Sequence, residues 1–486
     1  MKMNNKLDCK EHHFFNYFIA NFFPMLLGMV STLIYTIILD PSGYGRYGIA
    51  NSTLIILILF GSEWINQGIL RFYEYYRKKN QLQKLINFIW SIIIVLSTIS
   101  FIVLIILNMF VKSNIVNNMI FVFYFITTIT SGILYSYVRA QLKSSIYKKV
   151  QIFQAIITFI LTMSLIYITR NYIVIFLSKA ICQVISCTII VVKGNLKIKR
   201  FKIISLENKD VVTKIFIYGF PIIITSIGSN LLQMSDRYII KYFCGEAEAG
   251  KYIANYMIND NLNILIFTPI VLATHNILIK KYESNYIEDL IKSIIDIKEL
   301  ILSLIIPIFI YVLIFSENSA SIFINSEYTD ISYIIPITMI GFMAFNYSMY
   351  NLKEFEFRNK TLVITKLIFL ALIINLILNI CLVPYYGSGG AAVSTMISYI
   401  AFSIISMILN NKSEFKGKIK LKELKNQFFM TIICTSIWIA IKVILKPNKF
   451  IDKYIYNLIF VFLSAGVVYL IYLFINKKYF LSKIKI

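Results

Sequence analysis

Apolar runs of about 20 residues recur along this chain from end to end, and they limit its fold before any motif is considered. That is the length an α-helix needs to cross a hydrocarbon layer ~30 Å thick. Fourteen spans are expected, at 14–39, 47–70, 86–110, 115–138, 150–169, 171–193, 214–243, 250–279, 294–315, 331–350, 361–383, 388–409, 427–445 and 454–475. Lipid admits only helices and closed barrels. Barrel strands alternate over about ten residues, whereas these runs are continuous. The fold class is therefore an all-α polytopic membrane protein with about 14 transmembrane helices. Charged residues make up only 15% of the chain, against about 25% in soluble domains. The first run, Phe14 to Leu39, lacks a small-residue cleavage site after a short core, so it reads as a membrane helix and not a signal peptide.

A net charge of +24 would suit a nucleic-acid binder, but the cations lie in short loops between apolar spans, where they act as topology signals. With the N-terminus inside, 37 of the 48 Lys and Arg residues fall on inner segments and 9 on outer segments and helix mouths. That alternation predicts a multi-pass protein of the bacterial inner membrane with both termini cytoplasmic. Lys179 and Lys442 fall within spans. The six cysteines form no CxxC pair and there are three histidines, so neither a disulfide framework nor a metal site is expected, and no cofactor. The chain carries no GxGxxG, Walker A, HExxH or GxSxG sequence. No outer loop exceeds about twenty residues, which argues against a membrane-embedded glycan polymerase or ligase. A transporter is expected, not an enzyme.

Two segments repeat a pattern. Pro24 and Pro221 each lie early in a long apolar helix, followed by a short glycine-containing turn and then Gly45-Arg46-Tyr47 or Gly250-Lys251-Tyr252. Internal repeats typify secondary transporters, whose sites lie where the repeats meet. The expected division is a six-helix lobe over 1–205, a second over 206–411 and two added helices over 412–486. The bland alternative is chance similarity of two turns.

Polar groups inside the membrane are functional candidates by default. Lys179 is the sharpest, roughly 12 Å from the outer end of its helix at 1.5 Å per residue. Gln183 and Ser186 share its face, which suggests a water-filled lumen; the alternative is a lysine snorkelling to the interface. Asn230, Gln233, Arg237 and Lys241 form a stripe on helix 7, with Asp236 beside it. Two cations on one face suit a phosphate, or else they anchor the helix at the interface. Asn255, Asn259 and Asn263 line helix 8, and Asp260 next to them lies near the midplane. Asp260 is a candidate to pair with Lys179 or to take a coupling proton or sodium ion; a local ion pair is the alternative. Glu63, Gln67 and Arg71 share a face of helix 2, with Glu63 and Arg71 as candidates for coupling or gating.

On these residues a family resemblance emerges. The stretch 218–255, with Gly219, Pro221, Ser235, Asp236, Arg237, Gly250 and Tyr252, resembles helices 7 and 8 of Wzx-type oligosaccharide flippases. These are polysaccharide-biosynthesis members of the multidrug/oligosaccharidyl-lipid/polysaccharide exporter superfamily. Residues 39–51 resemble the family's first outer turn, and 383–402, with Gly387, Gly390 and Ala391, its helix 11–12 turn. The resemblance implies two six-helix lobes around a cationic cavity. It implies alternating access that flips undecaprenyl-diphosphate-linked oligosaccharide repeat units across the cytoplasmic membrane for O-antigen or capsule assembly. Membrane lipids and a polysaccharide polymerase are the implied partners, and nucleic acid is not one. Related lipid II flippases carry arginines in the first two helices; helix 1 here has none, and Arg71 comes only at the end of helix 2. The alternative within transport is a cation-coupled multidrug exporter of the same fold, which is expected to place carboxylates in its cavity.

Overall fold

The computed structural model describes residues 2–110, 114–194, 196, 206–417, 421–444, 457 and 468–475. Among them every regular element is helical. The long helices are α1 (Lys2–Ile38), α2 (Pro41–Lys78), α3 (Leu82–Phe110), α4 (Ile115–Ala140) and α5 (Ser144–Thr169). There follow α6 (Ile173–Gly194), α7 (Leu206–Cys244), α8 (Glu246–Glu283), α9 (Ile287–Ile314) and α10 (Ile334–Asn351). The helical run Thr361–Asn411 breaks at Gly387 (φ 53°, ψ −133°), which separates α11 (361–386) from α12 (388–411). That conformation is one only glycine adopts without strain. Next come α13 (Leu421–Ile444) and α14 (Val468–Ile475). Each expected span as far as 427–445 thus coincides with a helix. The last, 454–475, lies outside the described residues except at 457 and 468–475. Counting 361–411 once, ten helices among the described residues are long and apolar enough to cross a membrane.

Four helix-to-helix turns are built alike. Asn80, Leu142, Asn285 and Asn359 are left-handed, with φ near +56° (55, 57, 56 and 57°). In each case the next residue's N–H reaches back five residues, as in Gln81 to Tyr76 O (2.8 Å) and Lys360 to Phe355 O (2.7 Å). This is the Schellman closure, which satisfies the last carbonyls of a helix. Asparagine tolerates the left-handed region better than other side chains, so three of the four sites carry it.

These turns recur at equivalent places, and the register is regular. α2 and α8 are both 38 residues long. Their first residues, the left-handed asparagines after them and the first residues of α3 and α9 all differ by 205 (246 − 41, 285 − 80, 287 − 82). Both helices are irregular at one level. α2 has a π-helical turn over Leu59–Glu63, and α8 carries Pro269, the counterpart of Trp64. The structure corrects the repeat in one respect. Pro24 lies nearer the end of α1 (Ile38) than Pro221 lies to the end of α7 (Cys244), so the two prolines are not equivalent. The turns are.

The chain divides into two compact units, one of residues 1–39 and 46–231 and the other of residues 40–45 and 232–486. In the first, α1 packs on α5, α4 on α6, and α2 on α4. Its core is aliphatic and aromatic, with Ile65, Ile69, Leu85, Phe88, Ile89, Ile133 and Val138 buried together with Ile215 of α7. α7 approaches α2 there through Gly219, where a Cβ would stand 2.6 Å from the Trp64 carbonyl oxygen. In the second unit, α10 packs against α11 and α12, α8 and α9 pack on α10, and α13 packs on α9.

Candidate functional site

The membrane-embedded charges fall into two settings, one in each unit. In the first unit, α6 brings Lys179 in about six residues from its start, roughly 9 Å along the helix. Its Nζ donates to the Tyr47 hydroxyl at 3.3 Å and lies 5.6 Å from that ring's centroid. Tyr35 packs edge-on to Tyr47 (5.7 Å) and Phe176 against its other side (5.5 Å). No carboxylate lies within ion-pair distance of Lys179 among the described residues. An aromatic face returns about 2 kcal/mol or more to a desolvated cation, of the same order as the cost of about 2.5–3.5 kcal/mol for placing the charge in the bilayer. Phenols and rings are neutral, so they stabilise the ammonium without cancelling its charge. Its neighbours on the helix do not form an open polar stripe. Gln183 is buried, accepting from Thr127 (2.8 Å) and Thr128 (3.1 Å) of α4, and Ser186 is buried on the Cys182 carbonyl (2.9 Å). Gln183 thus braces α6 on α4.

Glu63 ends the π-helical turn of α2 and accepts from Gln67 at 2.8 Å. No cation pairs with it among the described residues. Such turns recur at functional sites because they displace a side chain from its helical register. Arg71 is exposed, its guanidinium 5.9 Å from the Tyr218 ring centroid.

The second unit holds a cluster of two carboxylates and one arginine. Asp236 is fully buried, accepting from the Tyr252 hydroxyl (2.5 Å) and from the Arg237 backbone N–H (2.8 Å). Arg237, 5% exposed, faces Asp260 at 4.0 Å and lies 5.7 Å from the Tyr256 ring centroid. Asp260 therefore pairs with Arg237, where Lys179 had been an expected partner, and it keeps 28% of its side chain exposed. Beside Asp236, Ser235 donates to Asn375 Oδ1 (3.2 Å), and the Asn375 amide reaches Thr395 and Ser398 (both 3.4 Å). Asn379 donates to Asn375, while its own buried Oδ1 accepts no hydrogen bond. These amides and hydroxyls form one hydrogen-bonded network beside the buried Asp236 carboxylate.

The remaining candidates scatter. Asn230 is half-buried and its amide bonds the Ser226 carbonyl (2.9 Å). Gln233 is half-buried with no hydrogen bond among the described residues. Lys241 ends the stripe in an ion pair with Glu246 (3.1 Å). Asn255 and Asn259 are corrected from a cavity wall to packing brackets. Asn255 donates to the Tyr328 carbonyl and Asn259 to the Ile335 carbonyl, both at 2.7 Å. Each amide also commits its second N–H, Asn255 to the Lys251 carbonyl (3.0 Å) and Asn259 to the Thr338 hydroxyl (2.5 Å), so both donors serve packing.

Sequence reasoning missed several partners. Tyr47 and Tyr252 hold equivalent positions, 205 apart, yet Tyr47 meets a cation and Tyr252 a carboxylate. Asn375 and Asn379 were visible as a polar pair one turn apart in an apolar run. Lys298, inside the 294–315 span, was not singled out, and only 2% of it is exposed. Its ammonium donates to Asn351 Oδ1 (2.6 Å), whose amide in turn donates to Ser406 (3.0 Å). Asn351→Leu, which strands that ammonium, is expected to lower stability by about 3 kcal/mol, whereas Lys298→Met, similar in volume and uncharged, is expected to be near neutral. Thermal unfolding of both variants in detergent checks this; equal losses would contradict it.

A family model described as polysaccharide biosynthesis protein matches residues 12–275, just over half of the chain. An uncharacterised membrane protein of Methanocaldococcus jannaschii is 23% identical over 440 residues, 85% of this chain and 84% of that protein. A probable low-salt glycan biosynthesis flippase of Haloferax volcanii is 25% identical over 193 residues, 39% of this chain and 40% of that protein. Among solved structures, the lipid II flippase MurJ in an inward closed conformation aligns with TM-score 0.68 at 14% identity, covering 95% of this chain and 98% of that one. An inward-facing multidrug resistance transporter of the MATE family and MOP superfamily aligns with TM-score 0.62 at 13% identity, covering 80% and 94%. At these identities the structural likeness speaks for the fold: the chain has the all-α architecture of MOP superfamily transporters.

Proposed function

Since this chain belongs to the polysaccharide biosynthesis protein family, we propose that it is a flippase for undecaprenyl-diphosphate-linked oligosaccharide repeat units. It carries them from the cytoplasmic to the outer leaflet by alternating access, for surface polysaccharide assembly. The observation that carries this reading is Lys179, a membrane-embedded cation met by phenols and, among the described residues, by no carboxylate. A diphosphate is the group that such a site lacks, and charge-assisted contacts to phosphate are the stronger hydrogen bonds. Half-buried Gln233 and Asn230 are the polar groups suited to sugars. Asp236, Arg237 and Asp260 act as the coupling and gating cluster: protonation of Asp260 or entry of a cation beside Asp236 changes the charge that Arg237 must balance. Glu63 and Arg71 belong to the same reading as gating groups. The excess of loop cations sets both termini in the cytoplasm, and the lobes divide as 1–205 and 206–411 with two helices appended.

The test uses purified full-length protein in liposomes holding a fluorescent polyprenyl-diphosphate oligosaccharide. Glycan buried in the inner leaflet is expected to become accessible to an added lectin over time. Liposomes in which the protein leaves the glycan inside but exports an organic cation would replace this reading with the drug exporter.

A further inference from the structure

Gly45 and Gly250 hold one position in the two halves, each the fifth residue of its helix, counted from Pro41 in α2 and from Glu246 in α8. A Cβ on Gly45 would stand 2.0 Å from the carbonyl oxygen of Glu246, and one on Gly250 would stand 1.9 Å from the carbonyl oxygen of Pro41. The contact is reciprocal: each glycine meets the carbonyl that opens the other's helix. The two first turns therefore pack backbone on backbone, an approach that only glycine permits on both sides.

The surroundings of this crossing hold it together. Ser42 Oγ donates to Glu246 Oε2 at 3.4 Å. Tyr44 is fully buried, its hydroxyl 3.5 Å from the Met257 sulfur and its ring edge-on to Tyr328 at 5.8 Å. Two helix N-termini brought together place like partial charges side by side. Asp40, which caps the Gly43 N–H at 3.1 Å, and the first-turn acids Glu246 and Glu248 offset them. Residues 40–45 pack within the second unit although the chain on either side of them belongs to the first.

We propose that this glycine crossing is the seal that closes the 40–45 and 245–250 turns on one another in the state seen here, and that it parts in every transport cycle. The proposal rests on the alternating-access reading above. Its chemistry suits repeated parting. The two glycines meet backbone on backbone, and opening includes the withdrawal of Tyr44 and the release of the Ser42–Glu246 hydrogen bond. The same closeness makes the seal intolerant, because a single methyl on either glycine holds the turns apart.

The test is a crosslink whose formation does not depend on the substrate. Ser42→Cys and Glu246→Cys are introduced together, with the six native cysteines changed to serine, and the full chain is reconstituted in liposomes. Mild oxidation is expected to join the two positions rapidly and to stop glycan flipping, and reductant to restore it. Adding Gly250→Val is expected to slow crosslinking about tenfold or more, the overpacking of a tight contact being worth about 1–3 kcal/mol. If that variant does not elute as a folded species, Gly250→Ala serves, since its Cβ already meets the Pro41 carbonyl. Crosslinking at the same rate in either glycine variant would overturn the seal, as would undiminished flipping by crosslinked protein. Failure of the flippase reading shows differently, as normal crosslinking without glycan movement in the reduced protein.

Discussion

Lys179→Met is expected to stop glycan movement while leaving the protein at least as stable as the parent. The two effects run in opposite directions because the lysine sits in the membrane with no counter-ion among the described residues. Removing it relieves a burial cost of about 2.5–3.5 kcal/mol, offset by the loss of a phenol contact and a cation–π contact of about 1–2 kcal/mol. Stability therefore stays level or rises slightly. Transport loses the charge proposed to hold the diphosphate. At about 1.5–3 kcal/mol for a hydrogen bond to a charged group, the flipping rate should fall roughly 10- to 100-fold. Lys179→Arg keeps the charge and should retain a measurable rate. Thermal unfolding in detergent and lectin accessibility in liposomes read the two quantities separately. A variant that transports normally removes Lys179 from the path, and one that unfolds early makes it a structural residue.

Arg237→Ala is expected to do the reverse and damage the fold first. Arg237 is buried, with Asp260 at 4.0 Å and Asp236 adjoining it in the chain. Its removal leaves two membrane-embedded carboxylates with no cation in their cluster, a loss of about 3–5 kcal/mol. Arg237→Ala combined with Asp260→Asn should recover about 1–2 kcal/mol of it, the coupling typical of contacting charges. Unfolding midpoints of the two single variants and the double variant form the cycle. If the single losses simply add, the ion pair carries no stability. Surface glycan assays on Arg237→Ala are informative only after the amount of folded protein is matched, because a residue this buried also carries the fold.

The contrast between these two cations shows what a sequence carries and what it does not. Both are legible as charges in apolar spans, because span length and hydropathy are local properties. Whether each is compensated depends on contacts distant in the chain: Tyr47 is 132 residues from Lys179, and tyrosine is too common here, with 33 in the chain, to stand out. The asparagines of α8 mislead for a related reason. A polar stripe at helical spacing fits a wet lumen and a dry helix contact equally well, and only the neighbouring carbonyls of Tyr328 and Ile335 decide between them. Lys298 lies inside the expected span 294–315, yet one lysine near a span's end does not show from sequence whether it is buried; its contacts to Asn351, 53 residues on, decide that. The turns were readable because glycine marks them in the sequence, and at Gly387 the demand is local, a left-handed backbone; at Gly45 and Gly250 it comes from a carbonyl distant in the chain. The partner of each glycine was not readable.

The reciprocity of the Gly45–Gly250 contact is the pattern of an isologous interface, in which one surface meets its own copy across a twofold axis. In a symmetric dimer of such hairpins any substitution falls on both sides at once. Here the two sides are fused into one chain and are separately mutable. Gly45→Ala and Gly250→Ala pose the same steric insult from opposite sides, so any difference between them measures how far the two halves have diverged since they could stand in for one another.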